Sequence, residues 1–326
     1  MLFSRDIGID LGTSNTLICD KKGRVVIREP SVVAVDVKSK RVLATGDEAK
    51  SMIGRTPGSI IAVRPLQDGV IADFDMTSDM LRSFIYRSSK RSLFTRTRVV
   101  ISIPSDVTEV ERRAVEDAVR SAGAQDVELI EEPMAAALGV GLPVYDATGS
   151  MVVDIGGGTC DVAVISLGGI AACKSIKVGG DALDEAIINH LKKEHDLLIG
   201  TNTAEDIKIK IGSAAPYDGE GAMEVRGRNT INGLPKSAEI TSEEIRQVLS
   251  EPVSKIISAI KETLEVTLPE LAADIIDKGI YLTGGTSQLR GLPELISQET
   301  KIAVHIPENP TDCVAIGTSI KLRRTI

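Results

Sequence analysis

The sequence predicts an α/β protein made of two copies of one fold that face each other across a cleft. Three observations lead there. Ile9-Asp10-Leu11-Gly12-Thr13 and Val153-Asp154-Ile155-Gly156-Gly157-Gly158-Thr159 share one plan of apolar strand, aspartate, glycine turn and threonine, and each is followed by a second strand pattern. Strand and helix patterns alternate behind each copy, as in sheets covered by helices. The length of 326 residues suits two domains of about 150 residues each. The expected division is a lobe I over 1–149 and a lobe II over 150–326.

The elements follow in order. Ile7 to Leu11, Leu17 to Cys19 and Val25 to Ile27 read as strands, with Lys21-Lys22-Gly23 as a hairpin turn. The β patterns Ser31 to Val37 and Arg41 to Ala44, with the aperiodic Gly- and Pro-punctuated stretch Gly54 to Gly69, suggest a small insert. Lobe I thus divides into 1–32 with 66–149, and 33–65. Met80, Leu81, Phe84 and Ile85 share one face of a helix from Thr77, and Val99 to Ile103 is a strand stopped by Pro104. Thr108-x-x-Glu111 is a capping box ahead of the stripe Ala114, Val115, Ala118, Val119 and Ala122, which Gly123 ends. Val127 to Ile130 is a strand, and Pro133 opens a helix through Leu138, so Glu132 stands at a helix N-terminus. From Ser150 the opening pattern returns, with strands at 151–154, 162–166 and 171–178. Helices are expected at 181–195, 203–212, 242–264 (capped by Thr241-x-x-Glu244), 286–299 and from about Asp312. The β-rich stretch Gly221 to Ile240 marks a second insert. Lobe II divides into 150–182 with 241–326, and 183–240.

Composition narrows the function. The 38 basic against 46 acidic residues leave a net charge of −8, and aromatics make up 2% with no Trp, so a nucleic-acid partner is not expected. Four cysteines show no Cys-x-x-Cys and three histidines no His-x-x-x-His, so no zinc site is expected. The cysteines read as small reduced hydrophobes of a cytoplasmic protein. The N-terminus runs straight into a strand pattern without a signal-peptide core. The longest near-apolar run, Met134 to Val144, contains Gly139, Gly141 and Pro143 and falls short of the roughly 20 residues a bilayer span takes.

Glycines after a strand let backbone N–H groups approach a phosphate, and Thr13, Ser14 and Thr159 add hydroxyls beside them. A third strand and turn, Ile280-Tyr281-Leu282-Thr283-Gly284-Gly285-Thr286, joins the set. A carboxylate at a strand end suits phosphates only with a cation between, so Asp10 and Asp154 are candidate holders of Mg²⁺ through its waters. One glycine turn alone is an ordinary hairpin with an aspartate cap. Three coordinated copies indicate a metal-nucleotide site. Neither Gly-x-x-x-x-Gly-Lys-Ser/Thr nor Gly-x-Gly-x-x-Gly occurs, which excludes Walker-type ATPases, Rossmann enzymes and protein kinases.

Asp10-Leu11-Gly12-Thr13-Ser14-Asn15-Thr16, Glu131-Glu132-Pro133-Met134-Ala135-Ala136-Ala137, Asp154-Ile155-Gly156-Gly157-Gly158-Thr159 and Leu282-Thr283-Gly284-Gly285 resemble the phosphate-1, connect-1, phosphate-2 and adenosine motifs of the actin, Hsp70 and sugar-kinase superfamily, in the same order and spacing. Within it the chain resembles the MreB/Mbl bacterial actins over essentially its whole length. Gly54-Arg55-Thr56-Pro57-Gly58, Arg64 to Phe74 and Thr203 to Lys208 carry the closer match outside the nucleotide site. The resemblance implies an actin-like fold in which each lobe has a large ribonuclease-H-like and a small subdomain, with ATP and Mg²⁺ between the lobes. It also implies ATP hydrolysis coupled to assembly of homopolymeric filaments beneath the cytoplasmic membrane, and partners in cell-wall synthesis and cell-shape control.

The same resemblance carries roles onto residues. Gly12, Thr13, Ser14, Asn15, Gly156, Gly157, Gly158 and Thr159 match the phosphate loops, Glu205 and Lys208 the pair at ribose and adenine, and Gly284, Gly285 and Thr286 the adenosine turn. Glu132 matches the water-positioning glutamate and Thr159 the threonine at the γ-phosphate or attacking water. Without the family, Glu132 is a first-turn helix acid whose ionised form the helix N-terminus favours. Glu205 and Lys208 are likewise a solvated i,i+3 ion pair. Ser14 stands where many relatives have Ala, Cys160-Asp161 follows Thr159, and Thr286 replaces a third glycine and adds a Cβ near the nucleotide. A small-molecule kinase or an Hsp70-like ATPase would use the same cleft. No further Asp-centred motif supports the first, and the chain ends too soon after its last helix for the peptide-binding module of the second.

Residues 82–98 hold Arg82, Arg87, Lys90, Arg91, Arg96 and Arg98 with no acid among them, and Leu93-Phe94 lies at their centre. An apolar tip in a basic collar suits an anionic membrane surface. Met1, Leu2 and Phe3 offer a second insertion point.

Overall fold

In a computed structural model describing residues 4–88 and 96–324, Ile7, Ile9 and Leu11 alternate along β1 (Ser4–Leu11) and enter a buried core. β1 pairs antiparallel with β2 (Asn15–Asp20), and β2 with β3 (Val25–Pro30). The chain then forms a separate small sheet from β4 (Val33–Asp36), β5 (Val42–Thr45) and, after helix α1 (Asp47–Met52), β6 (Ile60–Val63). A short hairpin, β7 (Leu66–Gln67) and β8 (Val70–Ile71), leads to α2 (Phe74–Arg87), β9 (Arg96–Ile103), α3 (Glu109–Ser121), β10 (Asp126–Glu131) and α4 (Glu132–Val140). β9 lies parallel to β1 and β10 parallel to β9, so the sheet order is β10-β9-β1-β2-β3.

The second half repeats this plan. β11 (Ser150–Ile155), β12 (Cys160–Ser166) and β13 (Gly169–Ile176) are antiparallel neighbours. The insert follows as α5 (Gly180–Glu194), β14 (Leu197–Leu198), α6 (Thr201–Ile211), β15 (Ala222–Asn229) and β16 (Pro235–Thr241), its strands forming their own sheet. α7 (Ser242–Glu265), α8 (Pro269–Lys278), β17 (Ile280–Thr283), α9 (Leu292–Thr300), β18 (Val304–His305) and α10 (Cys313–Arg324) complete the chain. The order β13-β12-β11-β17-β18 matches the first sheet strand for strand, with the same parallel and antiparallel pairings. The duplication expected from the Asp-glycine-Thr repeat is therefore a duplication of topology.

Several expectations are adjusted. α2 starts at Phe74 rather than Thr77, because the Asp73 carboxylate caps it, accepting from the Met76 N–H at 2.9 Å. The stretch 286–299 is not one helix. A 3₁₀ turn covers Thr286–Gln288, and Gly291 at φ 74° separates it from α9. The Thr108–Glu111 capping box is complete. Thr241 caps the Glu244 N–H, but the Glu244 carboxylate turns to two histidines instead of closing a box.

The seam between the halves is built by exchanged helices. α4, from the first half, packs on β11 and β12, while α10, from the second, packs on α4 and lies against β1, β2 and β9. Ala135, Ala136, Ala137, Val152, Ala163, Val314 and Leu322 share one buried cluster there. Two glycines permit this approach: a Cβ on Gly317 would sit 1.8 Å from the Ala135 carbonyl oxygen, and one on Gly139 1.9 Å from that of Cys313. A division at 149/150 assigns α10 to lobe II, whereas its packing joins it to the first sheet. Among the described residues no helix is long and apolar enough to cross a membrane.

Candidate active site

The turns that end β1, β11 and β17 open into one cavity of about 600 Å³, within the range of small-ligand pockets. Every residue expected in the cleft lines it: Asp10, Gly12, Thr13, Ser14 and Asn15 from the first hairpin, and Asp154, Gly156, Gly157, Gly158 and Thr159 from the second. Glu132, Glu205, Lys208, Gly284, Gly285 and Thr286 complete the set. The membrane candidates Met1, Leu2, Phe3, Leu93 and Phe94 lie outside the described residues.

The two hairpins meet closely. A Cβ on Gly157 would stand 2.1 Å from Ser14 Oγ and 2.7 Å from Ser14 Cβ, and one on Gly158 2.7 Å from Thr13 Oγ1. These glycines thus let the two halves approach, besides exposing N–H groups. Thr13 Oγ1 accepts from the Gly69 N–H at 2.9 Å, and Thr286 Oγ1 donates to the Gly156 carbonyl at 2.8 Å, so hydroxyls brace both loops.

Behind the hairpins sit four acids. Asp10 and Asp154 end equivalent strands, and each takes a hydroxyl from the parallel neighbour: Ser102 of β9 donates to Asp10 at 3.3 Å, Thr283 of β17 to Asp154 at 2.6 Å. Across the antiparallel ladder the halves differ, since Asp10 faces Leu17 but Asp154 faces Asp161. Burial first, and then the charge of Asp154, pushes the Asp10 carboxyl up to about 7. Burial raises Asp154 to about 6 against the opposing Thr283 hydrogen bond. Asp161 is raised chiefly by burial too. Glu132, the first residue of α4 and 7% exposed, is pushed well above the usual carboxylate range by burial and then by Asp161, Asp10 and Asp154. The expected preference for its ionised form is overturned in the cation-free chain, because desolvation and three like charges outweigh a helix N-terminus.

The donor set suits a hard cation. Arg28, Lys208 and Arg290 also line the cavity, but Arg28 pairs with Asp312, Lys208 with Asp184, and Arg290 donates to the Gly212 carbonyl. Asp161 Oδ2 is buried with no hydrogen-bond partner among the described residues. The carboxyls of Asp10, Glu132 and Asp154, gathered on one cavity with no cationic side chain paired to them among the described residues, fit a hydrated Mg²⁺.

At the other end, Glu205 and Lys208 are not each other's partners. Glu205 accepts from Lys50 of α1 at 2.8 Å, across the cleft, and Lys208 contacts Asp184 at 2.9 Å and the Gly180 carbonyl at 2.9 Å. The i,i+3 reading of this pair is thereby corrected. Arg64 reaches across in the same way to Asp181 at 2.5 Å, which also accepts from Ser14 Oγ at 3.4 Å. Gly180, Asp181 and Asp184 were missed from sequence. The signal was present, since Val178-Gly179-Gly180-Asp181 again sets glycines and an acid between a strand and a helix.

The basic collar is smaller than its sequence suggests. Arg82 pairs with Asp79, Arg87 with Glu29, Arg96 with Asp126 and Arg98 with Glu128. Acids outside the segment, one of them a helix neighbour and three at least 30 positions away, thus offset four of its six charges, and Lys90 and Arg91 lie outside the described residues.

The family model described as MreB/Mbl protein matches residues 4–325. The chain is 50% identical to the cell shape-determining protein Mbl of Bacillus subtilis over 98% of its length and 96% of that protein's. It is 51% identical to the cell shape-determining protein MreB of Escherichia coli over 97% and 92%. Among solved structures it is similar to MreB5 of Spiroplasma citri bound to ADP, with a TM-score of 0.93 and 39% identity over 99% of this chain and 97% of that one. A MamK double helical filament, at TM-score 0.83 and 22% identity over 99% and 98%, shares the fold. The duplicated two-lobed architecture is thus the actin-like one, and the chain belongs to the MreB/Mbl family.

Proposed function

We propose that this chain is an ATP-driven filament subunit. It binds ATP with Mg²⁺ in the cleft, hydrolyses it, and assembles with copies of itself on the cytoplasmic face of the cell membrane. There it helps set cell shape by organising cell-wall synthesis. The observation that carries the nucleotide reading is the convergence of two equivalent hairpins and the carboxyls of Asp10, Glu132 and Asp154 on one cavity. Family membership supports the rest, together with relatives named as cell shape-determining proteins and MreB5 structures bound to ADP and AMPPNP.

In this reading the hairpins Gly12–Asn15 and Gly156–Thr159 offer N–H groups and the Thr13, Ser14 and Thr159 hydroxyls to the phosphates. Glu205 and Lys208 face the ribose and base, and the turn Gly284–Thr286 closes over the adenosine side. Asp10 and Asp154 would hold Mg²⁺ through its waters, and the ion would screen the phosphate charge. Glu132 would hold and orient the attacking water; burial raises its proton affinity, so its carboxylate is a stronger base than an ordinary glutamate once a bound cation offsets the neighbouring acids and favours the ionised form. Phosphoryl transfer asks little else of a protein than positioning and charge stabilisation. The subdomain divisions at 33–65 and 183–240 place one small sheet on each side of the cleft mouth.

Sedimentation with ATP and without nucleotide, alongside phosphate release, tests this reading. Pelleting and release that depend on ATP are expected. A chain that turns over ATP only with an added hydroxyl acceptor and never pellets is instead a kinase. For the membrane part, Leu93→Ser/Phe94→Ser is expected to polymerise but to lose co-pelleting with anionic vesicles. Undiminished co-pelleting removes that segment as the anchor.

A further inference from the structure

Outside the cleft, three side chains converge where the small sheet of the second half joins its body. His190 lies near the C-terminal end of α5, His195 is that helix's C-cap, and Glu244 lies in the first turn of α7. Both imidazole Nε2 atoms stand 2.6 Å from the same carboxylate oxygen, Glu244 Oε1. The three potential ligand atoms all lie within 4.8 Å of one another. The rings meet edge to face with centroids 6.0 Å apart and planes at 63°, which aims both nitrogens at one point. Each side chain is about a quarter exposed, leaving that point open to solvent.

A search for His-x-x-x-His misses this group, because the histidines are five residues apart. On a continuous helix that spacing would set them about 140° apart around the axis. They meet because His195 leaves the helix at φ −111°, ψ 4°, and Lys236 holds its carbonyl by a 2.5 Å hydrogen bond. This turn, and a glutamate that arrives from another helix, bring together a cluster that the search for local spacings in the sequence did not foresee.

We propose that His190, His195 and Glu244 form a binding site for a divalent transition metal, with Zn²⁺ as its natural occupant. Two imidazole nitrogens and one carboxylate oxygen are a three-protein-ligand set that leaves a fourth position for water. Imidazole favours Zn²⁺ and its neighbours, whereas Mg²⁺ keeps to oxygen donors, so the cleft and this cluster select different ions. Metal bonds of about 2.0–2.2 Å need each Nε2 to move less than about 1 Å away from Glu244 Oε1, with the metal taking the place of the hydrogen-bonding proton. β14 begins two residues after His195 and β16 leads straight into α7, so a bound ion ties together the entry and exit of the β14-β15-β16 sheet.

The test uses the full chain with its cleft saturated by Mg²⁺ and nucleotide. Zn²⁺ is titrated by calorimetry, and Co²⁺ is followed by its visible absorption. Wild type is expected to bind about one equivalent with micromolar or tighter affinity, to show a tetrahedral Co²⁺ spectrum, and to melt several degrees higher with Zn²⁺. Cys173→Ser, which removes the exposed thiol, is expected to behave as wild type. His190→Gln/His195→Gln is expected to lose at least about 100-fold in affinity along with the spectrum. Glutamine retains an N–H donor for Glu244, and Glu244→Gln offers a second route to the same loss should the first variant fold poorly. Unchanged affinity in either folded variant, or no Co²⁺ spectrum in wild type, overturns the proposal.

Discussion

Asp10 and Asp154 occupy the same position in the two halves, yet only Asp154 has an acid directly across the ladder, where like charges repel. Conversely, burial and its neighbour raise Asp10 further, to about 7 against about 6. Both carboxyls hold their protons more tightly folded than unfolded. The cation-free chain therefore binds extra protons between about pH 4 and pH 7, and loses stability as pH rises through that window. Asp10→Asn should flatten this slope and raise the stability of the cation-free chain near neutral pH by up to about 4 kcal/mol, since each tenfold change in proton affinity is worth about 1.4 kcal/mol. The same variant should bind Mg²⁺-ATP more weakly. Melting curves from about pH 5 to 8, with and without Mg²⁺-ATP, check both halves, and an unaltered slope counts against the assigned titration. Glu132 differs in kind, because it stands apart from the phosphate turns. Glu132→Gln should leave nucleotide affinity within about threefold and slow phosphate release by about 100-fold or more. Wild-type turnover would reduce it to a helix-capping acid.

At the scale of elements, the two hairpins work as a pair because Gly157 and Gly158 admit Ser14 and Thr13. Gly157→Ala is expected to push the turns apart and weaken nucleotide binding at least about tenfold. Adding Ser14→Gly, which removes the two side-chain atoms the new Cβ would meet, should recover most of that loss. If the double variant binds no better than the single one, the contact between hairpins is not the cause. These hairpins were legible in the sequence because strand, glycine turn and aspartate are local signals. The repeat of the first half in the second was legible too, once Asp154 was recognised as a counterpart of Asp10, whereas the strand order of the sheets was not. What stayed hidden depends on long-range packing. α1 is only six residues long, and the packing of α10 on α4 depends on Gly139 and Gly317, which in sequence look like two more glycines. Glu205 appeared paired with Lys208 because they are neighbours on one helix, whereas its partner Lys50 is 155 positions away. His190, His195 and Glu244 were invisible for the same reason.

At the scale of the whole molecule, the halves are held by two unlike sets of contacts. The seam of α4 and α10 is dry, close-packed and apolar, so it acts as a fixed joint. The opposite rim is closed by Lys50–Glu205 and Arg64–Asp181, whose side chains are about 27–35% exposed. Exposed pairs of this kind contribute under about 1 kcal/mol each and weaken with salt. A fixed joint on one side and a weak latch on the other describe a cleft that opens about its seam. Neither Lys50 nor Arg64 lines the cavity, so replacing them tests the latch without touching the nucleotide. Lys50→Ala/Arg64→Ala is expected to keep its thermal stability within about 1 kcal/mol and to release a fluorescent ATP analogue about 3–10-fold faster, with less dependence on salt than wild type. The sign of the change is informative, because Lys50 now holds the carboxylate assigned to the ribose. Slower release would mean that Lys50 competes with the nucleotide for Glu205, and the pair would then be a gate that ATP displaces instead of a latch that retains it.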